Sequence, residues 1–500
     1  MDTLIAGATL YDGFGGPGRL ADVRVSGGVI SGVGGNLDRT GAEVIDGTGL
    51  ALAPGFIDVH SHSDENYFDT PGADSKLSQG ITTEICGNCG FSPDEKGDHG
   101  GLAAFIERLE KVVPAVNVAT FTGFNSLRMQ VLGVQPRPAT EDEIAKMKAI
   151  FAAELELGSL GLSSGLFYTS AKFAPTSEVA ALAALLKGTG KPYATHMRSE
   201  SDGLLEAIRE AVEIASAGSG SLQISHFKTS GEENHAKLAD ALELIEQARA
   251  SGLRVHGDRY PYTYCSTGLR TIAPPPFDEL ADSALKDLLA SSPAKRKELA
   301  DAWRKTARDW TRTLIVDSAN PAHAPYLGKN MAEIAQLLHL PPEDACAQLL
   351  SEALPRAAFG SMSEENLKII LKQDWIFAGS DAGCRAFGNP RVHPRAFGTM
   401  PRFFRMARAQ GVEPGEIIRR MTLAPAAKFL LPRRGAVKPG LAADLVLFDE
   451  AKFDSHADYV RADRPAEGIR AVWVNGRLAY TPEDGVRPER AGRFLRSREP

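Results

Sequence analysis

His60 and His62 stand at the end of the apolar run "GFIDVHSHSD", separated only by Ser61. Alternate side chains of an extended strand share a face, so both imidazoles can reach one partner. Four further residues of the same chemical kind follow at wide intervals: Cys89 in "ICGNCGFS", His196 in "THMRSE", His226 in "SHFK" and Asp381 in "GSDAG". Imidazole, thiolate and carboxylate are zinc donors, and a catalytic zinc keeps one position open for water. Each residue alone has an ordinary explanation, since a histidine at a strand end is commonly just hydrogen-bonded. "CGNC" has the spacing of a redox pair, but that motif normally opens a helix in a thioredoxin-like unit, and no second CxxC completes a zinc knuckle. The conjunction of ligand types at five separate strand ends points to a metal. Cys86 reads as core packing, and His256, several residues before its strand end, as a core or supporting residue.

Positioning these residues takes a particular set of elements. Eight short apolar runs are candidate strands: 55–60, 81–86, 117–123, 158–165, 192–197, 222–227, 253–260 and 375–381. Amphipathic helical stretches alternate with them, as in "TEDEIAKMKAIFAAELELG", with Thr140 as N-cap and Gly158 as the stop. This predicts an α/β chain whose core is a (β/α)8 TIM barrel, with these candidate ligands on the face where such barrels place their chemistry. Residues 278 to about 373 exceed one βα spacing and predict a helical insertion before the last barrel strand. Short alternating segments at both ends predict a small β-sandwich-like domain from residues 1–53 and 432–490, which leaves 54–431 for the barrel.

The totals are those of a soluble globular chain: 500 residues, 43% hydrophobic, 24% charged, with a formal net charge of −7. Basic residues are scattered, so no nucleic-acid groove is expected. The opening "MDTLIAGATLYDG" lacks the pattern of a signal peptide, and no run has the ~20 apolar residues of a spanning helix. Five cysteines are a sparse, odd set that fits a reducing compartment without disulfides. The expectation is a cytoplasmic protein with neither membrane nor nucleic-acid partner; a homo-oligomer is left open.

The motifs "PGFIDVHSH", "SQGITTEICGNCGFS", "GSLGLSSGLFY", "THMRSE", "SHFK", "DRYPYTYCSTGL", "GSD", "HPRAFGTMPRF", "MTLAPA" and "GLAADLVLFD" run along nearly the whole chain. In that order they resemble the amidohydrolase superfamily, and within it the D-aminoacylase (N-acyl-D-amino-acid deacylase) family. "GNCG" is the distinctive one, because most relatives carry a bridging lysine or glutamate there. The resemblance implies a tightly bound zinc on Cys89, His196 and His226. It also implies a neighbouring metal position, empty or weakly filled in relatives, made by His60, His62, Asp381 and the Cys89 sulfur. Asp381 would be the general base and acid for a zinc-bound water, whose pKa such a site brings to about 7 so that hydroxide is available. Lys228, Tyr260, Ser266 and Arg395 match residues that bind the carboxylate of an N-acyl amino acid. Arg198 and Glu200 read as a supporting pair.

One departure is the long loop "AGCRAFGNPRV" with Arg385, Phe387 and Arg391, where an extra arginine has two readings, selection of an acidic substrate side chain or a solvent-facing charge. The implied reaction is zinc-dependent hydrolysis of N-acyl-D-amino acids. The alternatives are a D-residue dipeptidase, a hydantoinase- or dihydroorotase-like cyclic-amide hydrolase, and a non-catalytic scaffold. The cysteine argues against the cyclic-amide enzymes, and the complete ligand set against the scaffold.

Overall fold

The structure is a computed structural model that describes residues 2–93, 100–306, 308–388 and 392–497. Each of the eight apolar runs coincides with a strand, the sixth beginning one residue early: Phe56–Asp58, Ile81–Cys86, Asn117–Thr120 continued by Thr122–Gly123, Leu162–Gly165, Tyr193–His196, Ser221–Ile224, Arg254–Arg259 and Ile376–Ala378. Neighbours pair in parallel from first to eighth. The ring closes where the Asp381 amide donates to the His60 carbonyl at 2.7 Å and Ser61 bridges Ala382. Ile57, Ile85, Ala119, Ala194 and Phe377, from five of these strands, share one buried cluster, so this part of the barrel is packed core rather than a channel.

The covering helices follow local rules. Helix Glu141–Glu156 starts with a reciprocal capping box between Thr140 and Glu143, and Gly158 beyond its end takes φ 103°. Helix Leu204–Ala217 buries Leu204, Ala207, Ile208, Ala211, Ile214 and Ala215, a single stripe at helical spacing.

Between the seventh and eighth strands the chain is mixed, not purely helical as the sequence suggests. "TLIVD" and "RAAF", short runs of apolar character, form strands Thr313–Asp317 and Arg356–Phe359. With Cys265–Gly268 they make a three-stranded antiparallel sheet, so this extra structure begins before residue 278. It has its own apolar core around Trp303, Trp310, Leu299 and Leu349.

The two chain ends meet in a nine-stranded sheet, joined by antiparallel pairing of Ala51–Pro54 with Leu445–Phe448. Its strands share a core that includes Ile5, Val23, Leu52, Leu445 and Trp473. Among the described residues no helix is long and apolar enough to cross a membrane.

Candidate active site

Three of the residues picked out by chemistry sit on unusual backbone. Cys89, His226 and Asp381 have φ of 55°, 38° and 51°, in the left-handed region that non-glycine residues rarely enter. Such conformations cost of order 1–3 kcal/mol each and persist only where the surroundings enforce them, most often at functional sites. For Cys89 the enforcement is visible. A Cβ on Gly165, at the end of the fourth strand, would lie 2.1 Å from the Cys89 carbonyl oxygen, so only glycine lets the cysteine loop close onto that strand. A Cβ on Gly90 would lie 1.9 Å from Asn125 Oδ1. The glycines of "GNCG" and "LSSG" therefore aim the thiol across the mouth of the barrel.

The side chains converge. One donor atom each from His60, Cys89, His226 and Asp381 all lie within 4.8 Å of one another, and all four residues are buried. Cys89 Sγ is 3.4 Å from His60 Nε2 and 3.5 Å from His226 Nε2. Asp381 Oδ1 is 3.5 Å from His60 Nε2 and 3.2 Å from His62 Nε2. His196 stands at the rim, its ring edge-on to His226 at 4.5 Å, and falls into a second grouping with Glu200 and His226. The Lys228 ammonium is bonded to Glu200 there and sits 2.8 Å from His226 Nδ1, so it already supplies the positive charge a cation would bring.

Charge in the cluster is strongly mutual. Burial alone would push the Cys89 thiol up, but His60 and His226 outweigh it and hold the group well below its usual range, as a thiolate. Burial likewise would raise Asp381, and Arg395 and His60 bring it well below the carboxylate range. His60 is raised despite burial, by Asp258 first and then Cys89 and Asp381. His62, against its own burial, is raised to about 10 through Asp381 and Cys89. Deprotonated, these imidazoles form a ligand set with the thiolate and the carboxylate.

A family model for the amidohydrolase family matches residues 43–480. The chain belongs to the amidohydrolase family. Across 99% of its length this amidohydrolase is 36% identical to an N-acyl-D-aspartate deacylase of Alcaligenes xylosoxydans xylosoxydans, of which 95% is covered. Over 99% of the chain it is 32% identical to a D-aminoacylase of the same organism, of which 97% is covered. The crystal structure of an N-acyl-D-glutamate deacylase from Bordetella bronchiseptica, complexed with zinc and a phosphonate inhibitor, superposes with a TM-score of 0.81 at 29% identity, covering 99% of this chain and 100% of that one.

Of the residues expected at the carboxylate end of a substrate, Arg395, Tyr260 and Ser266 come together in this amidohydrolase, while Lys228 is held by Glu200 and His226. Arg395 donates from Nη1 to Asp381 Oδ2 at 2.7 Å and from Nη2 to the Ser266 carbonyl at 3.2 Å, and its guanidinium lies over the Tyr260 ring. The Tyr260 hydroxyl and Arg395 Nε are buried without a hydrogen-bond partner. Ser266 is half-buried on the strand Cys265–Gly268. Arg198 pairs with Glu210, not with Glu200 as the sequence suggests; Glu200 belongs to Lys228 and His226. His256 stacks on Phe377 away from the cluster, and Cys86 is core. The main chain around Arg385 and Phe387 is fastened to Ser75 and Asp74, and among the described residues no bond links Arg385 to the cluster. Arg391 lies outside the described residues.

Sequence reasoning missed Asp258, whose Oδ1 lies 3.0 Å from His60 Nδ1 and accepts from the His226 amide at 2.8 Å. A carboxylate there fixes the proton on Nδ1 and turns Nε2 to the cluster. The available signal was its place near the end of the seventh strand, the position at which the first, fifth and sixth strands lead to histidines.

Proposed function

We propose that this amidohydrolase is a zinc-dependent deacylase that hydrolyses N-acyl-D-amino acids to a D-amino acid and a carboxylic acid. The convergence of Cys89 with histidines and Asp381 at the mouth of the barrel carries the reading, in a chain whose full-length relatives are named N-acyl-D-aspartate deacylase and D-aminoacylase. The donor chemistry fits zinc: a buried thiolate, imidazole Nε2 atoms turned inward by partners on Nδ1, and one carboxylate. Cys89, His196 and His226 would hold a tight ion, and His60, His62 and Asp381 with the same sulfur a second, weaker position. When bound, zinc supplies a Lewis acid for the scissile carbonyl and lowers the pKa of water to about 7.

The protein's own groups do the rest. Asp381 Oδ1, facing His60 and His62, takes the proton of the attacking water and returns it to the amide nitrogen, which leaves only once protonated. Arg395 spans both ends of the substrate, holding Asp381 with Nη1 while its unpaired Nε and the unpaired Tyr260 hydroxyl await an anion. A substrate carboxylate would satisfy both, with Lys228 adding charge and Ser266 fixing orientation.

We divide the chain into a small β domain, 1–53 and 432–490, and a barrel, 54–431. The free state of all five cysteines supports a cytoplasmic, reducing environment. The test is a panel of N-acetyl-D- and L-amino acids, D-dipeptides and hydantoins, assayed with zinc-loaded and chelated protein. Hydrolysis of N-acetyl-D-amino acids that needs zinc supports the reading. Preference for L-substrates contradicts it, and faster turnover of D-dipeptides or hydantoins reassigns the substrate.

A further inference from the structure

Ser61 and Ser63 alternate with His60 and His62, and their hydroxyls meet a different centre from the imidazoles. Ser61 Oγ donates to Glu84 Oε2 at 2.5 Å, Ser63 Oγ donates to the same oxygen, and the two hydroxyls are 2.8 Å apart. Beside them lies the ammonium of Lys76, on the short helix Asp74–Leu77, wholly excluded from solvent. It donates to Asp58 Oδ2 at 2.8 Å, Ser380 Oγ at 3.0 Å and the Ala382 carbonyl at 2.8 Å, with Glu84 Oε2 at 3.7 Å. Asp58 in turn accepts from the amide and hydroxyl of Ser380, at 2.8 and 2.5 Å, and from the His60 amide at 3.3 Å.

The positions held by this ammonium and by Glu84 interleave with the cluster. Asp58, Ser61 and Ser63 flank His60 and His62; Ser380 and Ala382 flank Asp381. One cation thus fastens the first and eighth strand ends to the second, through Glu84, and none of its hydrogen-bond partners is shared with Cys89, His196 or His226. Replacing it with an apolar side chain leaves two buried carboxylates without a counterion and frees both ends to separate. The reaction proposed above gives Lys76 no role.

We infer that Lys76 is a positioning residue for the half of the metal site made by His60, His62 and Asp381, and that it governs the second metal position separately from the first. This rests on the two-position zinc reading.

The test compares wild-type protein with Lys76→Met and Ser380→Ala. Bound zinc is counted by mass spectrometry across a chelator-buffered zinc series, with thermal unfolding measured alongside. Ser380→Ala keeps the ammonium but removes its hydroxyl link to the Asp381 segment, and it serves if Lys76→Met does not fold. The expected result is a loss of about 10- to 100-fold in affinity for the second zinc, the range seen when groups that orient ligands are removed, with the first zinc unchanged. Equal loss at both positions, tracking a fall in melting temperature, shows a scaffold role and overturns the inference. So do variants that bind both ions like wild type. A wild type that never takes a second zinc removes the position the inference concerns, and one that takes none overturns the zinc reading itself.

Discussion

Cys89 Sγ lies at the centre of the cluster, in contact with imidazoles from the first and sixth strand ends. Asp381 supplies a carboxylate to that cluster, and its role as proton carrier has a direct consequence. Asp381→Asn should lower kcat by about 10²- to 10⁴-fold, the usual contribution of a general acid–base group, while tight zinc remains bound; steady-state kinetics with metal analysis checks this. Activity surviving the substitution would reject the role. At this scale the sequence was readable where residue type is itself informative. Histidines and a cysteine closing apolar runs are few, so His60, His62, Cys89, His196 and His226 stood out. Asp258, Glu200 and Lys76 did not, because acids and lysines are common and theirs are ordinary positions until the partners are seen.

At the level of elements, strand ends and tight turns decide where the donors point. Gly165→Ala places a methyl group against the Cys89 carbonyl oxygen, 2.1 Å away, and must push the cysteine loop off the fourth strand. The expected outcome is a loss of stability above about 1 kcal/mol together with weaker zinc retention, read by chemical denaturation and metal analysis. A stable, fully zinc-loaded Gly165→Ala protein would show that the close approach is not needed. The segment before the last barrel strand stands on a core of its own. Trp303→Ala there should cost about 3–5 kcal/mol, measured by denaturant unfolding of that segment. The eight parallel strands were legible because each is a short apolar run bounded by glycine or polar residues. The strands Thr313–Asp317 and Arg356–Phe359 were not, since four-to-five-residue runs among long helices carry too little periodicity to register.

For the molecule as a whole, His256 ties stability to pH without touching the cluster. Burial first, then Lys428 and Arg249, lower its pKa from 6.5 to about 2, so the folded protein holds the ring neutral. Unfolding restores proton uptake near 6.5; the contribution is therefore complete above pH 6.5 and is lost as pH falls from 6.5 towards 2. His256→Phe, which keeps a ring against Phe377, should flatten the acid loss of stability, seen as a smaller shift of the urea midpoint between neutral and mildly acidic buffer. Identical shifts in both proteins would contradict this.

The same barrel gathers donors from strands at opposite ends of the chain around one sulfur, and on that sulfur the assignment of function depends. Zinc K-edge X-ray absorption of the loaded wild-type protein tests it most directly. A sulfur neighbour at about 2.3 Å beside imidazole nitrogens at about 2.0–2.1 Å is the expected result, and a first shell of nitrogen and oxygen alone contradicts it.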